Sequence, residues 1–182
     1  MKKLLLTTFV LLFSLGRLSA GPVDVKTAQS IGEKFVRANM ETLRNFQTTK
    51  HIGTWTDEKG TASLYIFNID DKGFYIVSAD DRAKPILAYS DEGALNFNNI
   101  PSNMAYYLDR YTKAISFAIE NDLEAEAEIM EEWNLVRSKG VVTEKVVAVP
   151  ASKPTTAKIS INLPRPFSVL SFKIGRQASD NV

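Results

Sequence analysis

Between Ser63 and Phe97 the chain alternates short apolar runs with short polar turns, a spacing that points to an antiparallel sheet. Ser63 to Ile69 (SLYIFNI) is rich in strand formers. It is followed by Asp70-Asp71-Lys72-Gly73, read as a turn with the glycine at a positive φ, and then by Phe74 to Ser78 (FYIVS). That pattern predicts a β-hairpin. Asp80-Asp81-Arg82 interrupts the chain before a third strand, Pro85 to Ser90 (PILAYS), and Ser90-Asp91-Glu92-Gly93 turns it again into Ala94 to Phe97. One further strand candidate lies around His51 to Thr56. Phe74, Ile76, Ile86 and Leu87 are expected to face helices, and the unbroken apolar runs imply that both sheet faces are covered.

Helices are expected on either side of this region. From Asp24 to about Met40, the residues Ala28, Ile31, Phe35 and Ala38 recur at helical spacing, with Asp24 placed to cap the start. Pro101-Ser102-Asn103 is a second start signal, and Met104, Leu108, Tyr111, Ile115 and Ala118 mark a buried stripe up to about Asn121. Asp122 to Arg137 reads as a third helix with a narrow seam of Ile129, Trp133 and Val136. Its acidic residues, Glu124, Glu126, Glu128, Glu131 and Glu132, are expected to form a solvated face. The fold class is therefore α+β: an antiparallel sheet of about four strands packed with two to three helices, followed by a poorly structured tail.

The domain boundaries follow from composition. Residues 1–20 (MKKLLLTTFVLLFSLGRLSA) read as a signal peptide: Lys2 and Lys3, an apolar stretch from Leu4 to Leu15, and a Ser19-Ala20 exit. The apolar stretch is short for a membrane span. Residues 21–138 are expected to form the folded domain, and 139–182, punctuated by Pro150, Pro154, Pro164 and Pro166, a linker or disordered tail. Strand-like runs near Ile159 to Leu163 and Val169 to Ile174 interrupt that tail. The mature chain is expected to be secreted or periplasmic, with no membrane contact after the leader is removed.

Composition excludes much chemistry. The chain has no cysteine and one histidine, His51, so it holds no thiol nucleophile, thiolate metal site or disulfide. A formal net charge of +1 gives no argument for a nucleic-acid partner. Asp70-Asp71 and Asp80-Asp81 lack the ligand spacing of a calcium loop and read as turn residues. His51 has no nucleophile to serve, and Trp55 and Trp133 read as packing residues. No cofactor is expected, and no catalytic constellation is present in the residues.

The run GFYIVSADDRAKPILAYSDEGALNFNNIPSNMAYYLDRY, residues 73 to 111, resembles the inhibitor-type pro-domain of the streptopain family of secreted cysteine proteases. The likeness is carried by Gly73, Phe74, Ile76, Val77, Ser78, Asp80 and Arg82. It continues through Pro85, Ile86, Leu87, Tyr89, Ser90, Gly93, Asn103 and Tyr111, and extends over about residues 24 to 121. The resemblance implies a secreted inhibitor or pro-region that blocks the active-site cleft of a streptopain-type cysteine protease, in cis or in trans. It further implies that the loop from Asn96 to Asn103 enters that cleft, which makes Asn98, Asn99, Ser102 and Asn103 the partner-binding candidates. Asn103 aligns with a pro-domain asparagine that points into the cleft, and it is equally well placed to cap a helix; both roles stay open.

The sequence also departs from that family. It shows neither the nucleophilic cysteine nor a Trp-x-Gln or Pro-Tyr-Asn segment where a mature enzyme is expected to begin. The expectation is a stand-alone inhibitor or the remnant of a truncated protease precursor, not an enzyme. The alternative is a secreted binding or surface module on the same scaffold with no protease partner.

Overall fold

Alternating apolar residues that must be buried on two faces need cover on both, and the fold supplies it. The computed structural model describes residues 20–142 and two short strands at 148–149 and 159–161. The expected leader and most of the expected tail, including the run at 169–174, lie outside the described residues. Helix α1 spans Val25–Asn39, α2 Ser102–Glu120 and α3 Ala127–Lys139. Strands β1 (Thr49–Thr56), β2 (Ala62–Ile69), β3 (Gly73–Ser78) and β4 (Ile86–Ser90) form an antiparallel meander. The short strands β5 (Ala148–Val149) and β6 (Ile159–Ile161) extend it at the β4 edge, in the order β1-β2-β3-β4-β6-β5. The segment from Ala94 to Phe97 is not a strand; it belongs to the loop between β4 and α2.

One face of the sheet packs against α1 and α3. Phe67, Ile69, Tyr75, Val77 and Ile86 meet Ala28, Ile31, Phe35 and Val36 of α1 and Trp133 and Val136 of α3. Ala38, expected in that stripe, is exposed, while Gly32 is buried with Val36. The other face, Leu64, Ile66, Phe74, Ile76, Leu87 and Ala88, meets Met104, Leu108, Tyr111 and Ile115 of α2. Ile86 and Leu87 thus bury on opposite faces, as alternation requires. The register then slips between Ile76 and Val77, a bulge that puts Leu87 and Ala88 on the same side.

The hairpin turn between β2 and β3 differs from its expected chemistry. The positive φ values fall on Asp70 (45°) and Asp71 (54°), with Lys72 N–H donating to Ile69 O at 2.8 Å. This is the left-handed two-residue turn whose twist suits a hairpin. Asp70 tolerates it because its carboxylate accepts from Gln47 N and Thr48 N, both at 2.7 Å. Gly73 is needed for space instead: a Cβ there would stand 2.4 Å from Ser90 O.

Helix ends are closed by side chains and by a glycine turn. Asp24 accepts from Lys26 N at 2.9 Å and Thr27 N at 3.0 Å, the expected cap of α1. Helix α3 ends at Gly140 with φ 71°, and Lys34 Nζ donates to Arg137 O at 2.7 Å. The acidic run before and within α3 is not wholly solvated. Glu132 is fully buried, with Oε2 at 3.7 Å from Nζ of the buried Lys84. Glu132 stands three residues after Ile129 and four before Val136, so helical spacing places it on the apolar seam; what spacing could not supply is the lysine, which comes from the β3–β4 connection.

Candidate functional site

Ser90, which ends β4, starts the loop by donating its hydroxyl to Glu92 O at 2.7 Å, and Gly93 at φ 79° turns the chain toward α2. From there the loop crosses the face of the sheet that α2 covers. Asn68 of β2 holds it on both backbone groups of Leu95: its Nδ2 donates to Leu95 O at 2.9 Å, and Leu95 N donates to its Oδ1 at 3.0 Å. A side-chain amide here takes the place of a neighbouring strand. That is why residues 94 to 97, which read as a strand, follow the sheet without joining its ladder.

Two residues further on, Phe97 lies over β1. A Cβ on Gly53 would stand 2.2 Å from the Phe97 ring, so the ring sits directly on the strand backbone. Trp55 meets the same ring edge-on at 6.1 Å, and its Nε1 donates to Asp109 Oδ1 on α2 at 3.1 Å. Asn96 caps the short 3-10 turn Phe97–Asn99, accepting from Asn98 N at 3.0 Å. Every internal anchor of the loop thus points toward the sheet or back into the loop.

What is left faces outward. Asn98, Asn99, Ser102 and Asn103 are all exposed. The side chains of Asn98, Asn99 and Ser102 take no hydrogen bond among the described residues. Asn103 is not the cap of α2. The capping position falls on Pro101, which has no side chain able to cap, and Asn103 sits within the first turn. Its Oδ1 accepts from Met104 N at 2.9 Å, satisfying one of the free donors at the helix start. The Asn103 amide nitrogen has no acceptor among the described residues, so its two N–H bonds are available to a partner.

The structure adds Tyr106, which sequence patterning did not single out. It is 53% exposed, one turn along α2 from Asn103, and its hydroxyl accepts from Arg110 Nη1 at 3.0 Å. The signal was its position: Tyr106 stands midway between Met104 and Leu108, two residues from each, and so falls off the stripe of Met104, Leu108, Tyr111 and Ile115. The other residues that carry the family likeness are scaffold. Arg82 bonds Asp80 Oδ2 at 3.0 Å, Leu123 O at 2.7 Å and Asp122 Oδ1 at 3.3 Å, so it ties the β3–β4 turn to the α2–α3 corner. Tyr89 meets Phe35 edge-on at 4.8 Å, and the buried Tyr111 hydroxyl reaches Leu87 O at 3.5 Å. Burial holds the Tyr111 phenol neutral far above its ordinary range.

His51 is exposed, beside Tyr65 and Phe67 and 3.2 Å from Thr54 Oγ1. No cluster of metal-ligating side chains occurs among the described residues. Nor, among them, is any helix long and apolar enough to cross a membrane. What this architecture offers is an outward-facing loop fixed on a two-faced scaffold.

The chain belongs to the Spi protease inhibitor family, whose profile matches residues 20–115. The matched domain is of the inhibitor or pro-region type, and the 182 residues include no cysteine to act as a thiol nucleophile. The chain is similar to the thiol protease/hemagglutinin PrtT of Porphyromonas gingivalis, with 27% identity over 127 residues, which is 68% of this chain and 15% of that protein. It is also similar to streptopain of Streptococcus pyogenes, with 36% identity over 58 residues, or 32% of this chain and 14% of that protein. The chain thus spans 14 to 15% of the length of these curated relatives. No solved structure matches it.

Proposed function

We propose that this domain, exported and freed of its leader, inhibits a streptopain-type cysteine protease by laying the Asn96–Asn103 loop and the first turn of α2 across the active-site cleft. The observation that carries the proposal is the division of labour in the loop. Asn68, Phe97 and Asn96 hold it from inside, while the side chains of Asn98, Asn99 and Ser102 and the amide nitrogen of Asn103 have no hydrogen-bond partner among the described residues. A loop already held in one conformation loses little entropy on docking, so more of its contact energy appears as affinity. The available N–H donors of Asn103 suit the acceptors that line a peptide-binding cleft.

The test is inhibition of a streptopain-type protease by the parent domain and by Asn103→Ala and Asn103→Asp, at matched folded concentration. Losing a buried interfacial hydrogen bond costs about 1–3 kcal/mol, or about ten- to a hundredfold in inhibition constant. The aspartate keeps the acceptor that serves Met104 N but loses both donors, so it should inhibit no better than the alanine. If both variants match the parent, Asn103 serves only the helix start. If the parent does not inhibit, the cleft-blocking role is wrong.

A further inference from the structure

The first described residues of the chain are seated with unexpected care. Gly21 to Val23 run beside the segment after β3: Val23 N donates to Ala79 O at 2.8 Å, Asp81 N donates to Gly21 O at 3.1 Å, and Pro22 pairs with Asp80. The nitrogen of Gly21 then meets the carboxylate of Asp81, N to Oδ1, at 2.6 Å. This is a close contact of the kind that backbone amides make with carboxylates, as Gln47 N and Thr48 N do with Asp70 at 2.7 Å, and it puts the Gly21 nitrogen directly against a negative charge. Asp81 is partly buried, and among the described residues it has no cationic partner. The neighbouring Arg82 directs its guanidinium at Asp80 and Asp122 instead. A cationic nitrogen at the place of this amide would give the half-buried carboxylate a charged partner.

The sequence places the end of its leader, Ser19-Ala20, immediately before this glycine. We propose that Asp81 is the binding site for the processed N-terminus: cleavage between Ala20 and Gly21 leaves an α-ammonium on Gly21 that forms an ion pair with the Asp81 carboxylate. The reaction is hydrolysis by a leader-cleaving endopeptidase of the exporting cell. One water is consumed, its hydroxyl bonding to the Ala20 carbonyl carbon as the C–N bond breaks and its hydrogen passing to the Gly21 nitrogen. The resulting amine takes a further proton from solvent at neutral pH. The register is specific, because a cut one residue away would move the charge by about 3.8 Å along the chain.

The consequence reaches beyond the terminus. In the chain Asp81 stands between Asp80 and Arg82, and Arg82 binds both Asp80 and the α2–α3 corner. Removal of the leader would therefore tighten a junction that joins β3, β4, α2 and α3, and the domain would gain its full stability only after export.

The experiment compares the chain starting at Gly21 with the same chain retaining Ser19-Ala20, each with Asp81 and with Asp81→Asn, in denaturant melts at neutral pH. The variant asparagine keeps an acceptor for Gly21 N, so the fold should survive. The Gly21-start chain should be the more stable, by about tenfold in unfolding equilibrium constant, which is the scale of a charge-assisted hydrogen bond. Asp81→Asn should erase most of that difference. Equal stability of the two parent chains overturns the proposal, and so does a difference that survives Asp81→Asn. N-terminal sequencing of the exported protein should begin at Gly21, and any other start also overturns it.

Discussion

Gly32 of α1 leaves the space that the Tyr75 ring of β3 occupies: a Cβ on Gly32 would stand 1.9 Å from the ring. Tyr75 is stacked on Phe67 at 4.9 Å across the strand pair, so it has nowhere to retreat. On an exposed helix, glycine to alanine would stabilise by up to about 1 kcal/mol. Here overpacking, typically about 1–3 kcal/mol, opposes that gain and should win. We expect Gly32→Ala to lower the urea midpoint, and a raised midpoint would show that the α1–sheet contact is looser than its geometry.

Asn68 should act on inhibition without touching a protease. Replacing it with alanine removes both bonds to Leu95 and frees the loop where it leaves β4. We expect faster amide exchange across residues 94 to 101 and an inhibition constant weaker by about tenfold or more, with most of the global stability retained. Unchanged exchange in the loop would show that Phe97 alone holds it.

The buried pair Lys84–Glu132 predicts an asymmetry. Removing only the carboxylate, with Glu132→Ala, leaves a buried ammonium and should cost about 3–5 kcal/mol. Replacing both residues together, as Lys84→Met with Glu132→Leu, should cost far less and could be neutral. Chemical denaturation of the single and double variants checks this, and equal losses would mean that the attraction itself outweighs the cost of burial.

Acid should weaken the β2–β3 turn. The Gln47 amide, followed by that of Thr48, holds the Asp70 carboxyl below its ordinary range. A depressed folded value contributes stability that is fully present above the unfolded value of about 3.9, and that is lost as pH falls through the folded one. Melting temperatures taken between pH 6 and pH 2 should therefore fall less steeply for Asp70→Asn than for the parent. Parallel curves would assign the acid sensitivity to other carboxylates, such as Asp24 and Asp57, which are lowered by their own hydrogen bonds.

Much of the architecture was legible because its signals are local. The strands around Tyr65, Ile76 and Leu87, the cap at Asp24 and the stripe from Met104 to Ile115 depend on neighbours a few residues away. The family likeness was legible for a related reason. It rests mainly on buried residues, such as Phe74, Ile76, Ser78 and Tyr111, whose sizes and order the scaffold dictates. The binding candidates Asn98, Asn99 and Ser102 came from that likeness alone, since exposed polar residues in a loop carry no pattern of their own.

By itself, the sequence determined a chain without thiol chemistry, a sheet built from short hairpins and an amphipathic helix on either side of it. Those follow from residue counts and from periods of two and 3.6, which act along the chain. Only the tertiary structure decided that Glu132 is buried on Lys84, that Asn68 holds Leu95, that Asp70 and Asp71 carry the left-handed turn, and that Gly21 meets Asp81. Each depends on a partner or a geometry supplied elsewhere in the fold. The free energy of a charge or an amide is set by what it faces once water has been removed, and periodicity does not record that.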